Sequence, residues 1–205
     1  MRTLLIATHN SGKLKEFQQF LSSHAVHLVG LDALAEIEVC RETGSTFREN
    51  ARQKAEYYSQ FTSHLTAADD SGLVIDALDG RPGVFSARFL GSFASDEDRC
   101  REVLRLISNV PDEHRVARFV CCLALARRGK LLDVFEGTVD GVIIHELRGE
   151  FGFGYDSIFL IPEVGKTMAE LEPEEKLRLS HRGVALNRLT GGLVHFLDVT
   201  RRNGQ

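Results

Sequence analysis

Two adjacent carboxylates, Asp69 and Asp70, are the residues most able to do chemistry. They follow the apolar residues Leu65, Ala67 and Ala68 and precede Ser71-Gly72. Side by side they repel each other, and burial would strip their hydration. A hard divalent cation relieves both problems, and magnesium takes carboxylate and phosphate oxygens together. The same four residues also suit a solvated turn at a strand end, with Ser71 and Gly72 supplying the turn chemistry.

A second segment, Thr8-His9-Asn10-Ser11-Gly12-Lys13, has small and amide side chains that let a phosphate approach, plus one lysine charge. It is not a Walker A loop, because Ala7 stands where that motif needs a glycine. Gly165-Lys166-Thr167 fails the same test, with Leu160 at the glycine position. In Phe151-Gly-Phe153-Gly154-Tyr155-Asp156, glycines alternate with aromatics. Glycine admits close backbone approach, and an aromatic face can stack on a base; the same pattern also serves as core filling with turn glycines. Lys176, followed by Ser180-His181-Arg182, could grip phosphate or base oxygens or could be scattered surface charge. Arg88, closing Gly80–Arg88, serves a salt bridge as readily as a phosphate. His24, His27 and His64 belong to no constellation.

These groups need elements to position them. Thr3 to Ala7 reads as a short buried strand, and Leu14, Phe17 and Leu21 recur at helical spacing after the polar turn. Strand, turn and helix in that order aim helix-start amides at whatever the turn binds. Thr46 and Glu49 match a capping box, ahead of a helical face of Phe47, Ala51, Ala55 and Tyr58. Ser95 caps a second helix with an acidic first turn of Asp96, Glu97 and Asp98. Val116 to Ala126 reads as a strand buried on both faces, turning at Arg127-Arg-Gly-Lys into a strand from Leu131 to Val139. Gly149 to Gly154 is a loop, Pro173 to Leu179 a short helix, and a last helix runs from Arg182 toward Val199. The class is α/β with a mixed sheet.

The 205 residues suffice for one domain, or two small lobes sharing a core. The net charge of -4 argues against bulk binding to nucleic acid, but not against a small phosphate ligand held by a few local cations. The four cysteines (Cys40, Cys100, Cys121, Cys122) form no Cys-x-x-Cys pair, so they read as free thiols in a reducing cytoplasm rather than a zinc ribbon. The N-terminal apolar stretch is too short for a signal peptide, and no apolar run approaches a membrane span.

Taken in order, the motifs resemble the inosine/xanthosine triphosphate pyrophosphatase family, which removes deaminated purine nucleotides. The resemblance is carried by Ala7–Lys13, Glu42-Thr-Gly-Ser-Thr-Phe-Arg-Glu-Asn-Ala51, Ala68–Leu73, Pro82–Arg88, Gly152–Asp156, Gly165–Leu171 and Ser180–Gly183. It implies a single pyrophosphatase domain over 1–205, with an elongated mixed sheet, flanking helices and two lobes around a nucleotide cleft. It also implies a magnesium cofactor, a purine nucleoside triphosphate substrate and a homodimer. By position, Asp70 resembles the family's catalytic acid and metal ligand, and Glu42 its second metal carboxylate. Thr8, His9, Asn10, Ser11, Gly12 and Lys13 resemble its triphosphate turn, and Ser71 a substrate contact. Phe153, Gly154, Tyr155, Asp156, Lys176, His181 and Arg182 resemble its base and phosphate pocket. His9 replaces a common glycine, Arg41 an acid found in some relatives, and Ser157 a common proline. Two alternatives stay open: a Maf-type nucleotide pyrophosphatase acting on modified pyrimidines, and a non-catalytic nucleotide-binding module.

Overall fold

A computed structural model describes residues 2–91 and 93–198. Seven strands form one sheet. They are β1 (Arg2–Ala7), β2 (Val26–Val29), β3 (Leu65–Ile75), β4 (Val116–Arg127), β5 (Lys130–Ile143), β6 (Phe159–Ile161) and β7 (Lys166–Thr167). Their order across the sheet is β2-β1-β3-β4-β5-β6-β7. β1 lies parallel to β2 and β3, while β6 is antiparallel to β5 and β7. Among the described residues, five α-helices accompany them: α1 (Ser11–Leu21), α2 (Phe47–Tyr58), α3 (Asp96–Leu106), α4 (Pro173–Leu179) and α5 (His181–Asp198). The sheet is therefore mixed and the class α/β, as the sequence patterns require.

The local signals act as expected. Glu49 N donates to Thr46 Oγ1 at 3.1 Å, and Thr46 N donates back to the Glu49 carboxylate at 3.1 Å, so both halves of the capping box close. Ser95 and Asp98 make the same reciprocal pair at the start of α3. The β4–β5 turn rests on Arg128 and Gly129, both at positive φ, the conformation a two-residue hairpin turn demands.

The chain divides into two compact units. One comprises Met1–Asp70, Cys121–Glu136 and Gly183–Gln205, and the other Ser71–Val120 and Gly137–Arg182. The first unit buries Leu4, Ile6, Phe17, Leu65, Leu123, Leu186 and Leu189 in one core. The second buries Leu73, Ile75, Val103, Phe119, Ile158, Phe159 and Met168 in its own.

Three elements depart from the sequence expectations. Asp69–Gly72 is not a turn: β3 runs through all four residues without a break. β5 continues to Ile143 rather than ending at Val139. α5 begins one residue early, at His181, and the expected end at Val199 lies outside the described residues.

Gly72 shows what the unbroken β3 requires. A Cβ there would overlap Ser86 Oγ and lie 2.7 Å from Gly83 O. That hydroxyl accepts from Leu73 N at 2.9 Å and donates to Gly83 O at 2.6 Å. Gly72→Ala is expected to lower unfolding stability by about 2 kcal/mol through overpacking, measured by urea denaturation. An unchanged midpoint would show that Ser86 moves aside freely.

Candidate active site

The first unit concentrates charge where β3 passes the helices. Asp69 and Asp70 are only 1 % and 6 % exposed, because the middle of β3 is covered on both faces. Lys13, in the first turn of α1, donates to Asp69 Oδ1. Lys54, on α2, donates to Glu42 Oε1 at 2.6 Å and to Asp70 Oδ1 at 3.1 Å. Asn50, one helical turn before Lys54, donates to Asp70 Oδ2 at 3.2 Å, while its own oxygen accepts from Gly44 N at 2.8 Å. Gly44 allows that approach, since a Cβ there would come within 2.7 Å of the Asn50 oxygen. Cys121 donates its thiol to Asp69 Oδ2 at 3.0 Å.

The cluster thus sets three carboxylates, Glu42, Asp69 and Asp70, against two ammonium groups, Lys13 and Lys54. Burial pushes the Asp70 pKa above 3.8; Lys54 and then Lys13 oppose this, and Glu42 and Asp69 reinforce it. Burial also works against the Lys54 charge, but Asp70 and Glu42 outweigh it and raise that pKa. Every donor from these acids is a hard oxygen, and Glu42 and Asp70 already converge on a cation, the Lys54 ammonium. Carboxylate oxygens of this kind are the ligands magnesium takes, although among the described residues no three His, Cys, Asp or Glu side chains are arranged to hold a metal ion.

The phosphate-type turn lies in the same unit. Asn10 caps α1, its Oδ1 accepting from Lys13 N at 2.9 Å, and Thr8 Oγ1 accepts from Asn10 N at 3.2 Å. Ser11, Gly12 and Lys13 form the first helical turn, where backbone amides lack intrahelical acceptors. His9 Nε2 lies 3.3 Å from the Tyr58 hydroxyl, which also accepts from Cys40 N at 3.1 Å. Through Tyr58, His9 is thus tied to the segment leading into Glu42.

The second unit gathers the aromatic loop. Lys176 Nζ lies 4.6 Å and Arg182 Cζ 5.7 Å from the Phe153 ring centroid. Asp156 Oδ2 accepts from Phe153 N at 2.8 Å and from Lys176 Nζ at 2.6 Å, so one carboxylate sets both the loop and the lysine. Gly152 permits this, since a Cβ there would lie 3.0 Å from the Asp156 carboxyl carbon and overlap its oxygen. Arg182 donates to Ser71 Oγ at 2.7 Å. The His181 ring stacks on Phe119 at 4.8 Å. Tyr155 turns into the core and donates its hydroxyl to Ser86 O at 2.9 Å.

The sequence reading paired Glu42 with Asp70, put Thr8–Lys13 in a triphosphate turn, and grouped Phe153–Asp156 with Lys176, His181 and Arg182; the structure sets Glu42 and Asp70 on one ammonium, Lys54, gathers Phe153, Asp156, Lys176 and Arg182, and turns Tyr155 into the core. The sequence reading missed Asn50 and Lys54. Their spacing of four on α2, directly after a capping box, was the available signal. Gly165-Lys166-Thr167 lies on β7 and its start of turn, where Lys166 pairs with Glu175 at 3.2 Å.

The Ham1 family profile matches residues 4–191. A dITP/XTP pyrophosphatase of Geobacillus kaustophilus is 49% identical over 189 residues, covering 92% of this chain and 93% of that one. One from Bacillus subtilis is 45% identical, covering 93% and 96%. The solved Ham1 protein of Staphylococcus aureus superposes with a TM-score of 0.84 at 39% identity, covering 95% of this chain and 99% of its own. That of Coxiella burnetii gives 0.83 at 40% identity, covering 95% and 100%.

Proposed function

Because the chain belongs to the Ham1 family, we propose that it hydrolyses deaminated purine nucleoside triphosphates (ITP, dITP and XTP) to the monophosphate and diphosphate, with magnesium as cofactor. The observation that carries this reading is the buried acidic cluster, in which Glu42 and Asp70 converge on one cation, the Lys54 ammonium. The dITP/XTP pyrophosphatase relatives, matched over nine-tenths of the chain, support the substrate class.

Glu42 and Asp70 are the residues that would hold the ion. When bound, magnesium neutralises phosphate charge and lowers the pKa of water. Asp70 orients the attacking water and accepts its proton; its raised pKa makes it a better base than an ordinary aspartate. Attack falls on the α-phosphorus, and the α–β anhydride breaks to release diphosphate. Lys13 and the amides of the Asn10–Gly12 turn bind the triphosphate, and Lys13 and Lys176 balance charge developing on its oxygens. Phe153 offers the stacking face, Ser71 a hydroxyl contact, and His181 and Arg182 the polar contacts to the six-keto edge. The four free thiols accord with a cytoplasmic protein. The resemblance to the family supports a homodimer.

Incubation with ITP, XTP, ATP, GTP and dUTP, with and without magnesium, tests the reading. Monophosphate and diphosphate should form from ITP and XTP only with magnesium, and ATP should react at least ~10²-fold more slowly, because the wrong base edge leaves polar groups unpaired. Equal turnover of ATP and ITP would sink the assignment, and preference for a pyrimidine would move it to the Maf type.

A further inference from the structure

The aromatic loop owes its shape to a helix that plays no part in the chemistry described above. α3 reaches Gly154 twice. Asp96, the first residue of α3, accepts from Gly154 N through Oδ2 at 2.7 Å. Cys100, one turn later, donates its thiol to Gly154 O at 3.3 Å. Burial pushes that thiol up to about 11, so at neutral pH it carries the proton this bond needs. Both polar groups of the residue following Phe153 are therefore held from one helix. Gly154 itself sits at φ +65, where a side chain would be strained, so the backbone alone must be fixed from outside.

Asp96 is in turn aimed. Its Oδ1 accepts from Arg99 Nη1 at 2.9 Å, and Arg99 is buried, with Nε donating to Phe89 O at 3.2 Å. Arg99 takes one carboxylate oxygen and leaves the other facing Gly154. Phe153 is thus clamped from two sides: Asp156 holds its own amide, and α3 holds the next one.

We propose that Asp96 is a positioning residue for nucleotide recognition, fixing the Gly154 peptide so that Phe153 presents its ring to the base. This rests on the reading of Phe153 as the stacking face. Asp96 touches no substrate; it acts through the loop. A group of this kind contributes to binding before and during the reaction alike, so its loss should appear in KM rather than in kcat.

Asp96→Ala and Asp96→Asn, with Glu97→Ala as a neighbouring control on the same helix turn, test the proposal in the full chain. Exchange of the Gly154 amide is followed by NMR without nucleotide, alongside KM and kcat for ITP. Asp96→Ala should speed Gly154 exchange and raise KM for ITP, each by about tenfold, the effect of one charge-assisted hydrogen bond, with kcat within about twofold of wild type. Asp96→Asn keeps an oxygen acceptor and should restore most of both, and Glu97→Ala should change neither. Unaltered Gly154 exchange in Asp96→Ala would overturn the clamp, and a fall in kcat with KM unmoved would overturn its role in recognition. If wild type fails to turn over ITP, the proposed function fails instead, while the exchange data still decide whether Asp96 holds the loop.

Discussion

Asp70→Asn should lower ITP turnover by roughly 10³-fold and leave the melting temperature at neutral pH unchanged or raised. The two halves of this expectation have one cause. The Asp70 pKa is raised in the folded protein, first by burial. The folded state then holds the proton more tightly than the unfolded chain, so the contribution of Asp70 to stability is largest below 3.8 and shrinks as pH rises from 3.8 through the folded value. At neutral pH the ionised side chain is a net burden, which the proposed mechanism accounts for, since a base and metal ligand must be charged there. The amide removes the burden and the chemistry together. Lys54 keeps Glu42 at 2.6 Å and the introduced carbonyl can still accept from Asn50, while the introduced NH2 faces the Lys54 ammonium where Oδ1 stood, which offsets part of the relief. Steady-state turnover and a thermal melt on the same sample check both halves. Near-normal turnover would remove Asp70 from the mechanism, and a melt several degrees lower would make it a structural residue.

That buried pair marks the limit of what the residues alone disclose. Capping boxes at Thr46 and Ser95 and the hairpin at Arg128-Gly129 were legible because each is closed by residues within four positions. Asp69 and Asp70 read equally well as a turn, since acids are depleted from strands and Ser-Gly is turn chemistry. Lysines brought from α1 and α2, with Asn50 and Cys121, make a strand interior tolerable for them, and pairing at separations of 56 and 16 residues leaves no local trace. β5 was expected to stop at Val139 and instead runs on through Gly141 to Ile143. There glycine marks close approach, not an end: a Cβ would lie 2.6 Å from Phe159 Cζ and overlap Leu160 O on the neighbouring strand. Asp96 looked like an ordinary acid favoured by a helix N-terminus. Its bond to Gly154, 58 residues away, is a property of the fold. Family resemblance supplied the roles of Glu42 and Asp70, which spacing alone left open.

Arg115→Met is expected to be the most destabilising of the substitutions considered, lowering unfolding free energy by roughly 3–6 kcal/mol, one to two for each of three stranded carbonyls. Arg115 is only 2 % exposed. Its guanidinium donates to Ile143 O at 2.7 Å, Ile107 O at 2.8 Å and Ile144 O at 2.8 Å, all backbone acceptors. The planar fork suits three acceptors in divergent directions, and Ile107 O lies at the C-terminal end of α3, where a positive charge is favoured. Methionine fills similar volume but donates nothing, and in this buried setting the carbonyls have no alternative donor on that side chain. Lysine restores the charge but projects its donors from one atom, so Arg115→Lys should recover only part of the loss. Urea unfolding with an unchanged slope would check both, the Met midpoint falling furthest. If both variants stay within about 1 kcal/mol of wild type, the three bonds contribute little net stability. Arg115 also ties the end of α3 to the end of β5. The first turn of that helix holds the Gly154 peptide, so, on the proposed role of Phe153, a loosened α3 should weaken nucleotide binding before the fold itself gives way.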